Sequence, residues 1–226
     1  PDPRTLTIQP WDASLLKAIE KALLTSDQPD VFFRVLLEAD ALHAWFPELE
    51  ALTRAPQNPV YHPEGDSFEH TMLVLREAAA FRNHADDPLA FMLAALVHDL
   101  GKAVSTKKND KGAWQAIGHE HTGLPLIETM LARLGFSKAV IAYAKDMCCL
   151  HMRVHTCYYQ KARVSRTNVL FDESCCPQEL MNLVVCDARG TGKPREQADA
   201  EEAFIGERLE AYRLAASRPM PTAKML

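Results

Sequence analysis

An all-helical chain is what the sequence predicts, and three observations predict it. Segment after segment repeats apolar residues at helical spacing, several segments open on a capping residue, and no strand-like alternation of useful length occurs. On that periodicity helices are expected over residues 12–25 and 29–39. The helix expected over 67–82 opens on Asp66 as N-cap with Glu69 at the third position, a capping-box arrangement, and its spacing puts His70 beside Leu73 and Val74. Residues 88–100 make an almost wholly apolar helix closed by Gly101, a natural residue for leaving a helix. A helix over 122–134 is expected with Thr122 as its cap, and one over 138–152 with Ser137. Pro177 suits the first turn of 177–189, and a last helix is expected over 196–215. The chain contains no internal repeat and no low-complexity tract. The expected organisation is an N-terminal helical extension over 1–60 packed on the core, a domain over 61–215 and a flexible tail over 216–226.

The stretch LAFMLAALVHDLGK carries the most chemistry. It delivers His98 and Asp99 from a helix so apolar that it belongs in a core, where burying them costs several kcal/mol unless they are paired or bound to a metal. Taken alone, the doublet reads equally as a metal site or as a buried hydrogen-bonded pair. Further polar residues recur at core positions. Val140, Ala144, Met147, Cys148 and His151 form one helical stripe, Leu180, Leu183, Val184 and Asp187 share another, and His119 stands at the entrance to a helix. The set His70, His98, Asp99, His119, His151 and Asp187 therefore reads as a metal centre. Nitrogen and carboxylate oxygen donors without thiolates suit Mn, Fe, Co, Ni or Zn, and Mg with fewer histidines. Six ligands exceed what one closed tetrahedral ion needs, so the expectation is one or two divalent ions, Asp99 bridging where there are two.

This ordered set resembles the signature of the HD-domain superfamily of metal-dependent phosphohydrolases. The match lies in His70, the His98–Asp99 doublet with Gly101 and Lys102, and Asp187; His119 with Gly123, and His151, match the extra ligands of two-metal members. The flanks resemble a narrower group. KALLTSDQPDVFFRVLLEADALHAWFPELEAL, then YHPEGDSFEHTMLVL, and later VCDARGTG are similar to the neck and HD domain of bacterial CCA-adding tRNA nucleotidyltransferases, from about Lys17 to beyond Arg195. The resemblance implies an HD helical bundle with its metal site between core helices. It also implies a phosphohydrolase for 2′,3′-cyclic phosphodiesters, 2′-nucleotides and phosphomonoesters. The chain departs from that group in having no D-x-D pair and no glycine-rich loop, so as given it is not expected to add nucleotides to tRNA.

The expected chemistry follows from charge. Two divalent ions bring +4 against −2 from Asp99 and Asp187, which leaves room for a hydroxide and an anionic substrate. Lys102 either complements the helix end or holds a phosphate oxygen, and Arg189 beside Gly190 is expected to contact substrate. His62, set in extended geometry by Pro63, either packs the loop, supports a ligand or touches substrate. His155 is a weaker ligand candidate, His121 is expected to point away from the ions, and His43 and His84 to lie at the surface. Residues 103–118 are long and polar, and read either as a surface connection or as a substrate loop.

Composition bounds the partners. A net charge of −5 argues against a broad nucleic-acid footprint, leaving local basic groups at Lys107, Lys108 and Lys111, at Lys161, Arg163 and Arg166, and at Lys193 and Arg195. The six cysteines show no C-x-x-C spacing and read as reduced thiols of a cytoplasmic protein; no apolar run reaches membrane-spanning length. The expected partner is a phosphorylated small molecule or nucleotide, or an RNA end including that of tRNA, with no membrane. Two other readings compete, an HD-fold di-iron oxygenase and a non-catalytic nucleotide- or RNA-binding module. Intact ligands argue against the second.

Overall fold

The computed structural model describes residues 13–217, and the fold is helical as the periodicity predicts. The expected tail falls largely on residues 218–226, outside the described residues, as does residue 12. In chain order the helices are α1 (Ala13–Thr25), α2 (Asp30–Glu38), α3 (Leu42–Trp45), α4 (Pro47–Ala51), α5 (Ser67–Ala78), α6 (Pro88–Val97), α7 (Lys102–Ser105), α8 (His119–Arg133), α9 (Lys138–Tyr159), α10 (Val164–Glu173), α11 (Pro177–Arg189) and α12 (Arg195–Ala216). Helix α6 is the axis of the core, and every side chain from Ala90 to Val97 is buried. Around it pack α1, α5, α9 and α11, with α8 lying on α9 and α12 on α11. The stretch Pro88–Ser105 is apolar enough to cross a membrane by composition, but 72% of it is buried inside this fold.

The N-terminal helices share that core, since Leu23, Phe33, Phe46 and Leu49 pack in one cluster with Met72 and Phe91. Charge fixes the joint. Asp30, fully buried, accepts from Arg34 Nε at 2.9 Å and from Arg76 of α5 at 2.9 and 2.6 Å. The capping box is only half formed. Asp66 Oδ1 accepts from Glu69 N at 2.8 Å, but the Glu69 carboxylate is gripped by both terminal nitrogens of Arg34 at 2.6 and 2.8 Å. A bidentate guanidinium is a stronger partner than a backbone amide, so the tertiary contact wins.

Several boundaries move for physical reasons. Helix α8 starts at His119 rather than Thr122, because Gly118 in the left-handed region (φ 79°) turns the chain straight into it. Thr122 Oγ1 instead donates to Gly101 O at 3.3 Å. Helix α9 runs on to Tyr159, its stripe continued by buried Val154 and Cys157, and that extension carries His155. Helix α10 was not expected, although Thr167, Leu170 and Phe171 are buried at helical spacing. Residues 103–118 hold a short hairpin, Lys107–Lys108 against Trp114–Gln115, too brief for alternation to reveal. Asn109 closes its turn by accepting from Lys111 N and Ala113 N at 3.0 Å each.

Gly101 also serves another purpose than expected. Its φ of −62° is ordinary, and the chain continues through 3₁₀-type bonds such as Lys102 N to Asp99 O at 2.9 Å. What requires glycine is proximity, since a Cβ there would lie 1.9 Å from His119 O and 2.6 Å from Gly123 N. Both neighbours are backbone, so no rotamer relieves the clash. This approach is what holds His119 beside Asp99. Gly101→Ala is expected to cost about 3 kcal/mol of stability by denaturant titration; a cost under about 1 kcal/mol would mean the turn shifts freely.

Candidate metal centre

The predicted ligands converge. His70 from α5, His98 and Asp99 from the turn after α6, His119 opening α8, His151 from α9 and Asp187 from α11 are all buried. Asp99 sits in the middle with one oxygen toward each side. Its Oδ1 lies 3.0 Å from His119 Nε2 and 3.7 Å from His151 Nε2. Its Oδ2 lies 3.3 Å from His98 Nε2 and 3.5 Å from His70 Nε2. Asp187 Oδ1 is 2.9 Å from His70 Nε2. The donor atoms fall into two groups, His70–His98–Asp187 and Asp99–His119–His151, each closing within 4.8 Å.

Hydrogen bonding at the far side of the rings shows what the near side offers. Nδ1 of His98 donates to Ala95 O at 2.9 Å, that of His119 to Ala116 O at 2.7 Å and that of His151 to Cys148 O at 2.6 Å. A carbonyl only accepts, so each Nδ1 carries a hydrogen and each ring turns its Nε2, the nitrogen that would meet a metal, inward. Burial, opposed by Asp99, pushes His151 down to about 4, so it is neutral at physiological pH. The Nε2 atoms of His119 and His151 face each other at 3.3 Å. His98 Nε2 is buried without a hydrogen-bond partner, and so are both oxygens of Asp99. Lys102 Nζ stands 2.6 Å from Asp99 Oδ2 as an ion pair, off the angle a hydrogen bond requires. Unsatisfied buried acceptors cost about 1–3 kcal/mol each, and a cation among them removes that cost. The residues present fit a divalent metal.

A ring of carboxylates and histidines braces these ligands. Glu64 Oε1 takes Nδ1 of His70 at 2.9 Å and Nδ1 of His62 at 2.8 Å. Burial would raise the Glu64 carboxyl, yet the two imidazoles outweigh it and hold it down at about 2. The second oxygen of Asp187 meets His155 Nε2 at 2.9 Å, and His155 Nδ1 meets Glu201 Oε1 at 2.7 Å. Burial opposes charge on His155, but Asp187 and Glu201 prevail and raise it to about 10. In the same way burial opposes charge on His70, and the hydrogen bonds to Asp187 and Glu64 lift it to about 9. His155 thus supports Asp187 from outside the two donor groups. Sequence reasoning did not single out Glu64 or Glu201. Glu201 did carry a signal, since it lies on the buried stripe of Ala198, Ile205 and Leu209.

The centre opens into a cleft of ≈ 720 Å³ whose walls include Gln57, His62, Lys102, His119, His155 and Asp187. Lys102, 8% exposed, spans Asp99 and Gln57 Oε1, the latter at 2.9 Å. Arg189 is the correction. Expected at the substrate, it turns instead to α12, donating to Glu202 Oε2 at 2.7 Å with its guanidinium 5.6 Å from the Phe81 ring centre. As the last residue of α11 it stands two residues beyond Asp187, about 200° around the helix, and pairs with α12. His121 is exposed near Glu120, His43 pairs with Glu50 at the surface, and His84 is exposed.

Histidines and aspartates buried at the meeting point of core helices define an HD-type centre, and residues 67–188 match the HD domain family. The chain belongs to that family, within a superfamily of metal-dependent phosphohydrolases. It is similar to the Multifunctional CCA protein of Alkalilimnicola ehrlichii, 34% identical over 204 residues, 88% of this chain and 46% of that protein. The Multifunctional CCA proteins of Shewanella denitrificans (36% over 192 residues, 82% of this chain and 44% of the relative) and Pasteurella multocida (38% over 144 residues, 63% and 33%) are similar too. The chain spans under half the length of each of these relatives.

Proposed function

We propose that this chain is a phosphomonoesterase or phosphodiesterase acting on a nucleotide, a 2′,3′-cyclic phosphate or an RNA end. The observation that carries the reading is the set of inward-facing Nε2 atoms and unsatisfied Asp99 oxygens at the floor of an open cleft. His70, His98 and Asp187 would hold one divalent ion and Asp99, His119 and His151 a second, with Mn, Fe, Co, Ni, Zn or Mg as the metal. Such ions supply a Lewis acid for the phosphoryl oxygens and lower the pKa of water. The chain's own residues do the rest. Lys102 sets its ammonium at the cleft wall, where a phosphate oxygen would arrive. Glu64 fixes the ring planes of His70 and His62 at once, and the His155–Glu201 pair holds the Asp187 carboxylate. The name of the relatives favours the CCA end of tRNA when the substrate is RNA.

The test is metal analysis after reconstitution with each divalent ion, followed by a panel of 2′- and 3′-nucleotides, 2′,3′-cyclic nucleotides and RNA with defined ends. Bound metal with phosphate release is expected. Oxygen consumption by the iron form without phosphate release would move the assignment to the oxygenase class, and tight binding without turnover to a binding module.

A further inference from the structure

Outside the ligand set, the cleft carries a feature that metal chemistry does not use. Tyr61 is 58% exposed and Tyr159 is 70% exposed, and both line the cleft together with the half-buried Trp114 of the hairpin. Single exposed aromatic residues are ordinary, but several on the walls of one cleft form a patch with a purpose. Two of these rings carry an ammonium. Lys193 Nζ lies 5.1 Å from the Tyr61 ring centre and Lys108 Nζ 4.9 Å from that of Trp114. The chain as a whole is acidic, with a net charge of −5, so lysines set on cleft aromatics are a local arrangement rather than part of a basic surface. Flat rings interleaved with ammonium groups are the chemistry that binds a nucleobase and the phosphate attached to it. The cleft is also larger than one phosphate group needs, and Asn58 and Gln115 along it, their oxygens already bonded within the chain, offer amide nitrogens for a sugar or a base edge.

We infer that Tyr61 and Trp114 are the specificity-determining residues of this site, stacking the base of a nucleoside phosphate whose phosphate lies toward Lys102. Stacking accepts any base, because every base has a π face, so the site selects nucleosides over aliphatic phosphates without choosing among bases. The inference deepens the phosphohydrolase reading and rests on it for the direction of the phosphate; the stacking itself is read by binding.

The experiment uses the metal-reconstituted full chain and measures the Kd of adenosine 3′-monophosphate, cytidine 3′-monophosphate and glycerol 2-phosphate by calorimetry. Wild type is compared with Tyr61→Ala, Trp114→Ala and Trp114→Phe, with metal content checked in each. Each alanine variant is expected to weaken both nucleotides by roughly 5- to 150-fold, the equivalent of about 1–3 kcal/mol per stacked base, and to leave glycerol 2-phosphate unchanged. Trp114→Phe should recover most of the loss. A short RNA ending in a 3′-phosphate separates the sources: a larger loss for RNA than for the mononucleotide assigns the rings to successive bases, an equal loss to one base. Equal weakening of nucleotides and glycerol 2-phosphate, or wild-type binding that does not distinguish them, overturns the inference. Nucleotide binding that follows the expected pattern without any phosphate release leaves the stacking site standing and removes the hydrolase reading.

Discussion

Asp99→Ala is expected to leave a folded chain that holds no divalent ion and hydrolyses no phosphoester. Asp99 is the one ligand whose oxygens face both donor groups, Oδ1 toward His119 and His151 and Oδ2 toward His70 and His98. Removing it withdraws a charge from both positions at once, where loss of a group that merely supports a ligand typically costs 10- to 100-fold in metal affinity. A fall of at least about 10³-fold in affinity and in kcat/KM is therefore expected. Folding should survive, because Asp99 lies in a turn whose bonds are backbone ones and Lys102 keeps Gln57 as a partner. Equilibrium dialysis with metal analysis, circular dichroism and initial rates on a cyclic nucleotide give the three readouts. Retained metal together with retained rate would place the hydrolytic centre elsewhere in the chain.

Much of this centre was legible because burying a histidine or aspartate on an apolar stripe is costly enough to need a reason. His70, His151 and Asp187 each announced themselves by standing where Leu or Val would otherwise stand, and helical spacing then gave their common direction. What periodicity does not encode is where a side chain turns once two helices have packed. Arg189 stands two residues beyond Asp187, about 200° around the helix, and so faces Glu202 of α12 rather than the cleft. Glu69 matched a capping box, but Arg34 arrives from 35 positions earlier and takes both its oxygens. Gly101 was rightly marked, for the wrong reason: its backbone dihedral is that of any helical residue, and only the approach of α8 to within 1.9 Å of its missing Cβ explains it. The hairpin that brings Trp114 to the cleft has strands of two residues, below the length at which alternation is a signal.

Lys102→Met should separate the two functions that Asp99→Ala abolishes together. The ammonium lies between Asp99 Oδ2 at 2.6 Å, an ion pair, and Gln57 Oε1 at 2.9 Å, its one hydrogen-bond acceptor among the described residues, in the wall of the cleft. It is a cation beside positions that would hold cations, so removing it relieves repulsion and metal affinity is expected to stay level or rise. The metal-free protein should respond in the opposite sense. Burial raises the Asp99 carboxyl, and the charges of His98 and Lys102 are what outweigh it and hold it well below the usual range. Without Lys102 the buried carboxylate loses a principal partner, so the metal-free form should lose about 3–5 kcal/mol of stability and regain most of it on metal loading. Catalysis should fall although the metal stays. A charge-assisted donor aimed at a phosphoryl oxygen is worth most as charge develops there, and losing one is expected to lower kcat by roughly 10²-fold with a smaller change in KM. Lys102→Arg should recover part of the rate by restoring the charge without the same reach. The decisive set is metal content, Tm with and without metal, and kcat beside KM for both variants. Loss of metal in Lys102→Met would make the lysine a structural counter-charge to Asp99, and an unchanged kcat would take it out of substrate contact.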